Sequence, residues 1–257
     1  MEIDDLIEVF RKNAETGGFV IDFDGTLSPI VADPDEARLA PGASEVLSGL
    51  AGRYEVVAIV SGRRAPDIAR KIAVAGLRYI GLYGAEEWID GRVVQPPQAP
   101  EWMAAARQLA GEAAAYFKGA GLAGCEVELK GMAVSLHFRN AEEPRVADNI
   151  LEWAQDAAPS RRFMVSVGRK VVELRPQGVS KAGAFERLVD ELKLERAVVT
   201  GDDLTDVEAM RRAGEVLGQS ALRIGVRSTE EPEGLLDQSD VLVGSTEELL
   251  ALLERFI

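Results

Sequence analysis

Short apolar runs alternate along the chain with stretches of helical period, and the alternation by itself predicts a fold. Residues 2–14 place Ile3, Leu6, Ile7 and Phe10 on one face of an amphipathic helix. A strand is expected at Phe19–Phe23, a helix opened by Pro41 and running to Leu50, a buried strand over Glu55–Val60, and a helix over Ala65–Val74. A strand at Tyr79–Tyr83 follows, then a hairpin over Glu86–Gln95 that turns on Asp90-Gly91. Strands alternating with helices at this spacing imply a doubly wound parallel sheet, with its active crevice at the carboxyl ends of the strands.

The pattern breaks at Pro96-Pro97-Gln98-Ala99-Pro100, a stiff connector. Beyond it the periodicity predicts a helix (Glu101–Lys118), a strand pair (Glu126–Lys130 and Met132–Phe138), a helix (Pro144–Ala157) and a second strand pair (Phe163–Val167 and Lys170–Arg175). Hairpin-joined strands make an antiparallel sheet with helices on one face. After a second connector at Pro176-Gln177-Gly178 the α/β alternation resumes: helix Lys181–Leu192, strand Ala197–Thr200, helix Asp206–Ala213, strands Arg223–Val226 and Val241–Val243, and a last helix from Thr246. The expected fold class is therefore α/β, a doubly wound, Rossmann-like parallel-sheet core interrupted by an inserted α+β domain. The expected limits are 1–98 and 177–257 for the core and 99–176 for the insert.

Composition narrows the chemistry. A net charge of −14 argues against a nucleic acid or an anionic membrane as partner, because neither affinity can be built without a basic face. The acidic N-terminal stretch lacks the basic start of a signal peptide, no apolar run approaches a bilayer span, and the single cysteine, Cys125, suits a reducing compartment; a cytoplasmic monomer is expected. With one histidine, His137, zinc chemistry is disfavoured and a hard, oxygen-liganded ion is the cation to expect.

Polar groups collect where the core strands end. Asp22 and Asp24 close the first strand on a Gly25-Thr26 turn, Ser61 follows the second, and Asp202 and Asp203 follow AVVT at 197–200. Side chains two apart on a strand leave on one side, so both first-strand carboxylates are expected to share a cation. A solvated Asp-rich turn is the competing reading, since Asp, Gly, Thr, Ser and Pro are ordinary turn residues. Lys181 opens a helix whose N–H groups already favour an anion. Together these make a phosphate site, and carboxylates this close favour Mg²⁺, which keeps waters and shares a phosphate oxygen.

DFDGT (22–26), VSGR (60–63), VSKAGA (179–184) and TGDDLTD (200–206) resemble, in order, the four motifs of the haloacid-dehalogenase-like phosphatases, and the insert resembles their large caps. The finer resemblance is to the trehalose-6-phosphate phosphatases, through ELKGMAVSLHFR and KVVELRP. It implies Asp22 as nucleophile, Asp24 as acid and base, and Mg²⁺ held by Asp22, the Asp24 carbonyl and Asp202. It further implies Ser61 and Lys181 on the phosphoryl oxygens, with Gly25, Thr26, Gly62 and Arg63 lining the substrate site. Glu128, Lys130 and Glu173 would grip the sugar of trehalose 6-phosphate, and the cap would close about its two connectors. On charge pattern alone, Glu128 and Lys130 are equally a solvated salt bridge. Tyr83 departs from the pattern, standing where related sequences often carry histidine. Asp203 and Asp206 both fit the fourth motif, leaving the ligand among them open. Rival functions are phosphatases for other sugar phosphates, such as sucrose 6-phosphate or a glucosyl- or mannosyl-glycerate phosphate, a phosphomutase, and a non-catalytic sugar-phosphate sensor.

Overall fold

The computed structural model describes residues 3–31, 33–141, 145–168, 170–228 and 231–257. The helix starts expected at Glu2 and Pro144 lie outside the described residues. Two compact units emerge: Met1–Val94 with Ser180–Ile257, and Gln95–Val179.

The first unit is built on β1 (Gly17–Ile21), β2 (Val56–Val60), β3 (Arg78–Gly81), β4 (Glu86–Ile89), β5 (Arg92–Val94), β10 (Arg196–Gly201), β11 (Ala221–Val226) and β12 (Val241–Val243). These pair in the order β12-β11-β10-β1-β2-β3-β4-β5. From β12 to β3 every pairing is parallel, and the β4–β5 hairpin adds an antiparallel edge. Strand order reverses on either side of β1, which makes its carboxyl end the switch point where open α/β sheets hold their ligands.

Parallel strands of this kind must be covered on both faces, and alternate residues go to opposite sides. Phe19 and Ile21 of β1, Val57 and Ile59 of β2 and Val198 of β10 pack with α1 (Ile3–Lys12), α2 (Ala43–Ala51), α3 (Ala65–Ile72) and α9 (Thr246–Glu254). Val20, Ala58, Val60, Ala197 and Val199 face the other way, against α6 (Lys181–Leu192) and α7 (Leu204–Leu217). The short α8 (Leu235–Gln238) contributes Leu235 to the second cluster.

The inserted unit carries α4 (Ala99–Gly119), β6 (Glu126–Leu129), β7 (Val134–His137), α5 (Val146–Ala157), β8 (Phe163–Gly168) and β9 (Val171–Pro176). Its strands pair antiparallel in the order β6-β7-β9-β8. Val134, Leu136, Val172 and Leu174 bury one face with Ala106, Leu109 and Ala113 of α4 and Ile150 and Ala154 of α5. The expected α/β class, a parallel main sheet with an inserted antiparallel one, is the architecture observed.

Several boundaries move for identifiable reasons. β1 ends at Ile21 rather than Phe23, because the Phe23 carbonyl accepts from the Thr26, Leu27 and Ser28 amides and starts the turn early. β3 ends at Gly81 rather than Tyr83, since Leu82 and Tyr83 take φ of +49° and +60°. α3 stops at Ile72 on a left-handed Ala73, and α7 begins at Leu204 because Asp203 caps it. α4 starts at Ala99, with Pro100 inside its first turn, so the expected connector is already partly helix.

Gly81 closes β3 against the start of α3 so tightly that a Cβ there would stand 2.2 Å from the Ala65 nitrogen, which is backbone and cannot give way cheaply. Gly81→Ala is expected to cost about 1–3 kcal/mol of stability, read as a lower urea midpoint at unchanged slope. An unchanged midpoint would contradict this contact.

Candidate active site

Lys181 is the first residue of α6, and its ammonium is buried at the sheet edge, 2.7 Å from Asp22 Oδ1 and 2.7 Å from Asp206 Oδ1. The Ser180 hydroxyl caps the helix by accepting from the Gly183 amide, which fixes where Lys181 leaves the backbone. Burial alone would pull the lysine pKa down, yet Asp203, Asp206 and Asp22 outweigh it and hold it well above its ordinary value. The charge is therefore permanent across the working pH range. Burial pushes the Asp22 carboxyl up to about 7, with Lys181 pulling it back and Asp203, Asp202 and Asp24 adding to the rise.

In the fourth segment Asp203 and Asp206 take different structural parts. Asp203 is the N-cap of α7: its Oδ1 accepts from the Asp206 amide at 2.9 Å and the Thr205 hydroxyl at 2.7 Å. Asp206 reaches back, its Oδ2 accepting from the Asp202 and Asp203 amides at 3.1 and 3.2 Å, which completes a capping box. Both oxygens of Asp206 are thus already bonded, one set to Lys181 and one to the backbone that carries Asp202. The D-x-x-D spacing of 203 to 206 is a capping-box signature that sequence reasoning could have used.

The Asp24 carboxylate has a different partner from that of Asp22. With the strand ended at Ile21, its carboxylate turns to Arg63, accepting from Nε at 2.6 Å and Nη2 at 2.7 Å. Arg63 is itself fixed by a bond to the Pro34 carbonyl and lies over the Phe23 ring, 5.5 Å from its centroid. Ser61 is buried at the end of β2, its hydroxyl accepting from the Arg63 amide at 3.2 Å. Gly25 has φ +81°, and a Cβ on it would stand 2.2 Å from Asp202 Oδ2, so glycine is required both by the turn and by the carboxylate. Its amide is committed to the Ser28 carbonyl. The Thr26 hydroxyl is fully buried without a hydrogen-bond partner among the described residues. Gly62 lies under the Tyr83 phenol.

Asp22, Asp202 and Asp206 are buried, and each offers an oxygen such that the three atoms lie within 4.8 Å of one another. An all-oxygen set in which four carboxylates (22, 202, 203 and 206) meet one ammonium fits a hard divalent ion. Of the three, Asp206 already accepts most hydrogen bonds among those described, one at Oδ1 and two at Oδ2, which makes Asp22 and Asp202 the better placed to hold it.

The inserted unit holds a separate polar cluster on the sheet face opposite its helices. Lys130 Nζ lies 3.1 Å from Glu173 Oε1 and 3.6 Å from Glu128 Oε2. Ser135 donates to Glu173 at 2.8 Å, and His137 Nε2 is 2.9 Å from Glu128. The His137 bond holds the Glu128 carboxyl below its usual range against the opposing effect of burial, helped by Lys130. Ser135 and His137 are members of this cluster that sequence reasoning passed over. Register places Ser135 opposite both Glu128 and Glu173 across β6, β7 and β9, while His137, opposite Glu126, reaches Glu128 on the diagonal.

The sequence profile of the trehalose-phosphatase family matches residues 20–236. The chain belongs to the trehalose-phosphatase family. A trehalose-phosphate phosphatase of Mycobacterium tuberculosis is 35% identical over 217 residues, covering 82% of this chain and 54% of the relative. The chain therefore spans about half the length of the curated relatives it matches. Among solved structures, the C-terminal domain of trehalose-6-phosphate phosphatase from C. albicans superposes with a TM-score of 0.83 at 20% identity, over 100% of this chain and 97% of that one. A trehalose-6-phosphate phosphatase related protein gives a TM-score of 0.74 at 23% identity, over 92% and 95%. At these identities the superpositions speak for the trehalose-phosphatase fold alone. Among the described residues no helix is long and apolar enough to cross a membrane.

Asp206→Ala would leave the buried Lys181 with one direct bond fewer and strip two backbone amides of their acceptor. Breaking a buried pair in this way typically costs about 3–5 kcal/mol, so urea unfolding should show a loss of that order. A loss below about 1 kcal/mol, the range of exposed pairs, would contradict the structural role given to Asp206.

Proposed function

We propose that this chain is a Mg²⁺-dependent phosphatase that hydrolyses trehalose 6-phosphate to trehalose and inorganic phosphate. The observation that carries the reading is the buried Lys181–Asp22 pair at the switch point of the sheet, 2.7 Å long, beside Asp202 and Ser61. Membership of the trehalose-phosphatase family supports the substrate.

Asp22 attacks phosphorus in line, the bond to the sugar oxygen breaks, and an aspartyl-phosphate forms, which divides one difficult displacement into two. Lys181 holds Asp22 Oδ1, so the carboxylate is oriented before substrate arrives. Asp24 protonates the departing sugar oxygen and later takes the proton from the water that hydrolyses the intermediate. Both of its oxygens are bonded to Arg63, so that fork must open for the proton to be delivered. Lys181 and the Ser61 hydroxyl bind phosphoryl oxygens, where charge is greatest in the transition state. Mg²⁺, held by Asp22, the Asp24 carbonyl and Asp202, would offset the repulsion between carboxylate and phosphate. The inserted unit acts as the specificity domain: Glu128, Lys130 and Glu173 recognise sugar hydroxyls, with Ser135 and His137 setting two of those carboxylates.

The test is phosphate release from a panel of sugar phosphates with Mg²⁺, with and without EDTA. Trehalose 6-phosphate is expected to be hydrolysed fastest, and EDTA to abolish release. A faster sucrose 6-phosphate or glucosyl-glycerate phosphate overturns the substrate, and EDTA-insensitive release overturns the metal. Asp22→Asn is expected to reduce turnover by at least ~10³-fold, within the range seen when a nucleophile is removed, with unchanged far-UV circular dichroism. Activity within tenfold of the parent would remove Asp22 from the role of nucleophile.

A further inference from the structure

The turn after β3 is strained in a way that neither its core packing nor the mechanism above requires. Leu82 and Tyr83 are consecutive non-glycine residues at φ +49° and +60°, followed by Gly84 at +113°. Side chains with a Cβ rarely accept this region, and such outliers persist where the surroundings over-determine them, often at functional sites. The surroundings here are the two elements assigned to the phosphoryl group.

On one side the turn is bonded to the loop after β2. The Tyr83 amide donates to the Ser61 carbonyl at 2.9 Å, the Leu82 amide donates to the Arg63 carbonyl at 2.8 Å, and the Ser61 amide donates to the Ile80 carbonyl at 3.1 Å. On the other side it abuts the start of α6: a Cβ on Gly84 would stand 3.0 Å from Ala184 Cβ and 3.3 Å from the Ser180 carbonyl oxygen. The Gly84 carbonyl also accepts from Arg187 at 3.3 Å. Between the two, the phenol end of Tyr83 covers Gly62, so that a Cβ there would meet the hydroxyl at 2.6 Å and Cζ at 2.7 Å. The strained turn thus spans from Ser61 to the helix that begins with Lys181, and its ring presses on the one residue between Ser61 and Arg63 that has no side chain.

We infer that Tyr83 is a positioning residue for phosphoryl binding: its ring packs on Gly62 to fix the Ser61–Arg63 loop, while its strained backbone sets the spacing between that loop and Lys181. The inference rests on the assignment of Ser61 and Lys181 to the phosphoryl oxygens. The contact is made by the hydroxyl-bearing end of the ring, with Cζ and Cε2 directly behind the oxygen.

The test compares the parent with Tyr83→Asn and Tyr83→Phe. Asparagine accepts the left-handed backbone, so Y83N removes the ring while keeping the turn. Y83F keeps the ring and removes the hydroxyl. Inorganic phosphate is titrated into each protein with Mg²⁺ by calorimetry, and hydrolysis of p-nitrophenyl phosphate, which has no sugar, is measured alongside thermal melting. Y83N is expected to melt like the parent, yet to bind phosphate at least tenfold more weakly. Its kcat/KM should fall by a similar factor, short of the ~100-fold that a misplacement of about 1 Å can cost. Y83F, which keeps Cζ and Cε2 over Gly62 and loses the hydroxyl, is expected to fall between the parent and Y83N. Unchanged phosphate affinity and kcat/KM in Y83N would overturn the inference, and so would a Y83F as impaired as Y83N. A parent that binds phosphate but fails on trehalose 6-phosphate refutes the substrate reading and leaves this test standing.

Discussion

The buried ammonium of Lys181 is the constraint on which the rest of the site depends. A lone lysine charge in a sheet-helix interface is costly to desolvate, and it is tolerated because two carboxylates approach to 2.7 Å and a third stands nearby at 3.7 Å. Conversely, Asp22, Asp202, Asp203 and Asp206 repel one another and cannot all be ionised at the end of β1 and β10 without a cation among them. Lys181 supplies one positive charge, and the remaining excess creates the demand for a divalent ion. One interaction therefore holds the fourth motif to the first.

The sheet makes this arrangement possible. Asp22 and Asp202 come from adjacent parallel strands, β1 and β10, whose register ends together, with the Asp22 amide bonded to the Thr200 carbonyl at 3.2 Å. Close approach of the two turns is permitted only by the missing side chains of Gly25 and Gly201, at each of which a Cβ would fall within about 2 Å of an aspartate. Asp206, through its capping box, transmits the position of Lys181 to the backbone of Asp202. Positioning here is done by helix caps and glycine turns, before any substrate contact.

Much of this was legible in the sequence, and the residues show why. The parallel core could be read because β1, β2 and β10 are continuous apolar runs, the mark of strands buried on both faces. The inserted unit could be read from its closely spaced strand pairs and proline connectors. What escaped was local and cooperative: that β1 stops before Asp22, so that Asp22 and Asp24 part company for Lys181 and Arg63. Strand periodicity does not report where a carbonyl begins to serve a turn. Likewise the left-handed Leu82 and Tyr83 carry no turn residue to announce them, since their conformation is imposed by bonds to Ser61 and Arg63 some twenty positions away. His137 and Ser135 fell outside the expected site because their relation to Glu128 and Glu173 is one of strand register, which no single stretch of sequence contains.

The central claim is that Asp22, held by Lys181, is a nucleophile and not merely a metal ligand. The most direct measurement is the stereochemical course at phosphorus, followed with a phosphorothioate ester made chiral by one oxygen isotope and hydrolysed in water carrying another, so that the thiophosphate released bears sulfur and three different oxygens. Two successive in-line displacements, the first by Asp22 and the second by water, predict overall retention of configuration. Net inversion would mean that water attacks the ester directly, and it would contradict the account of Asp22.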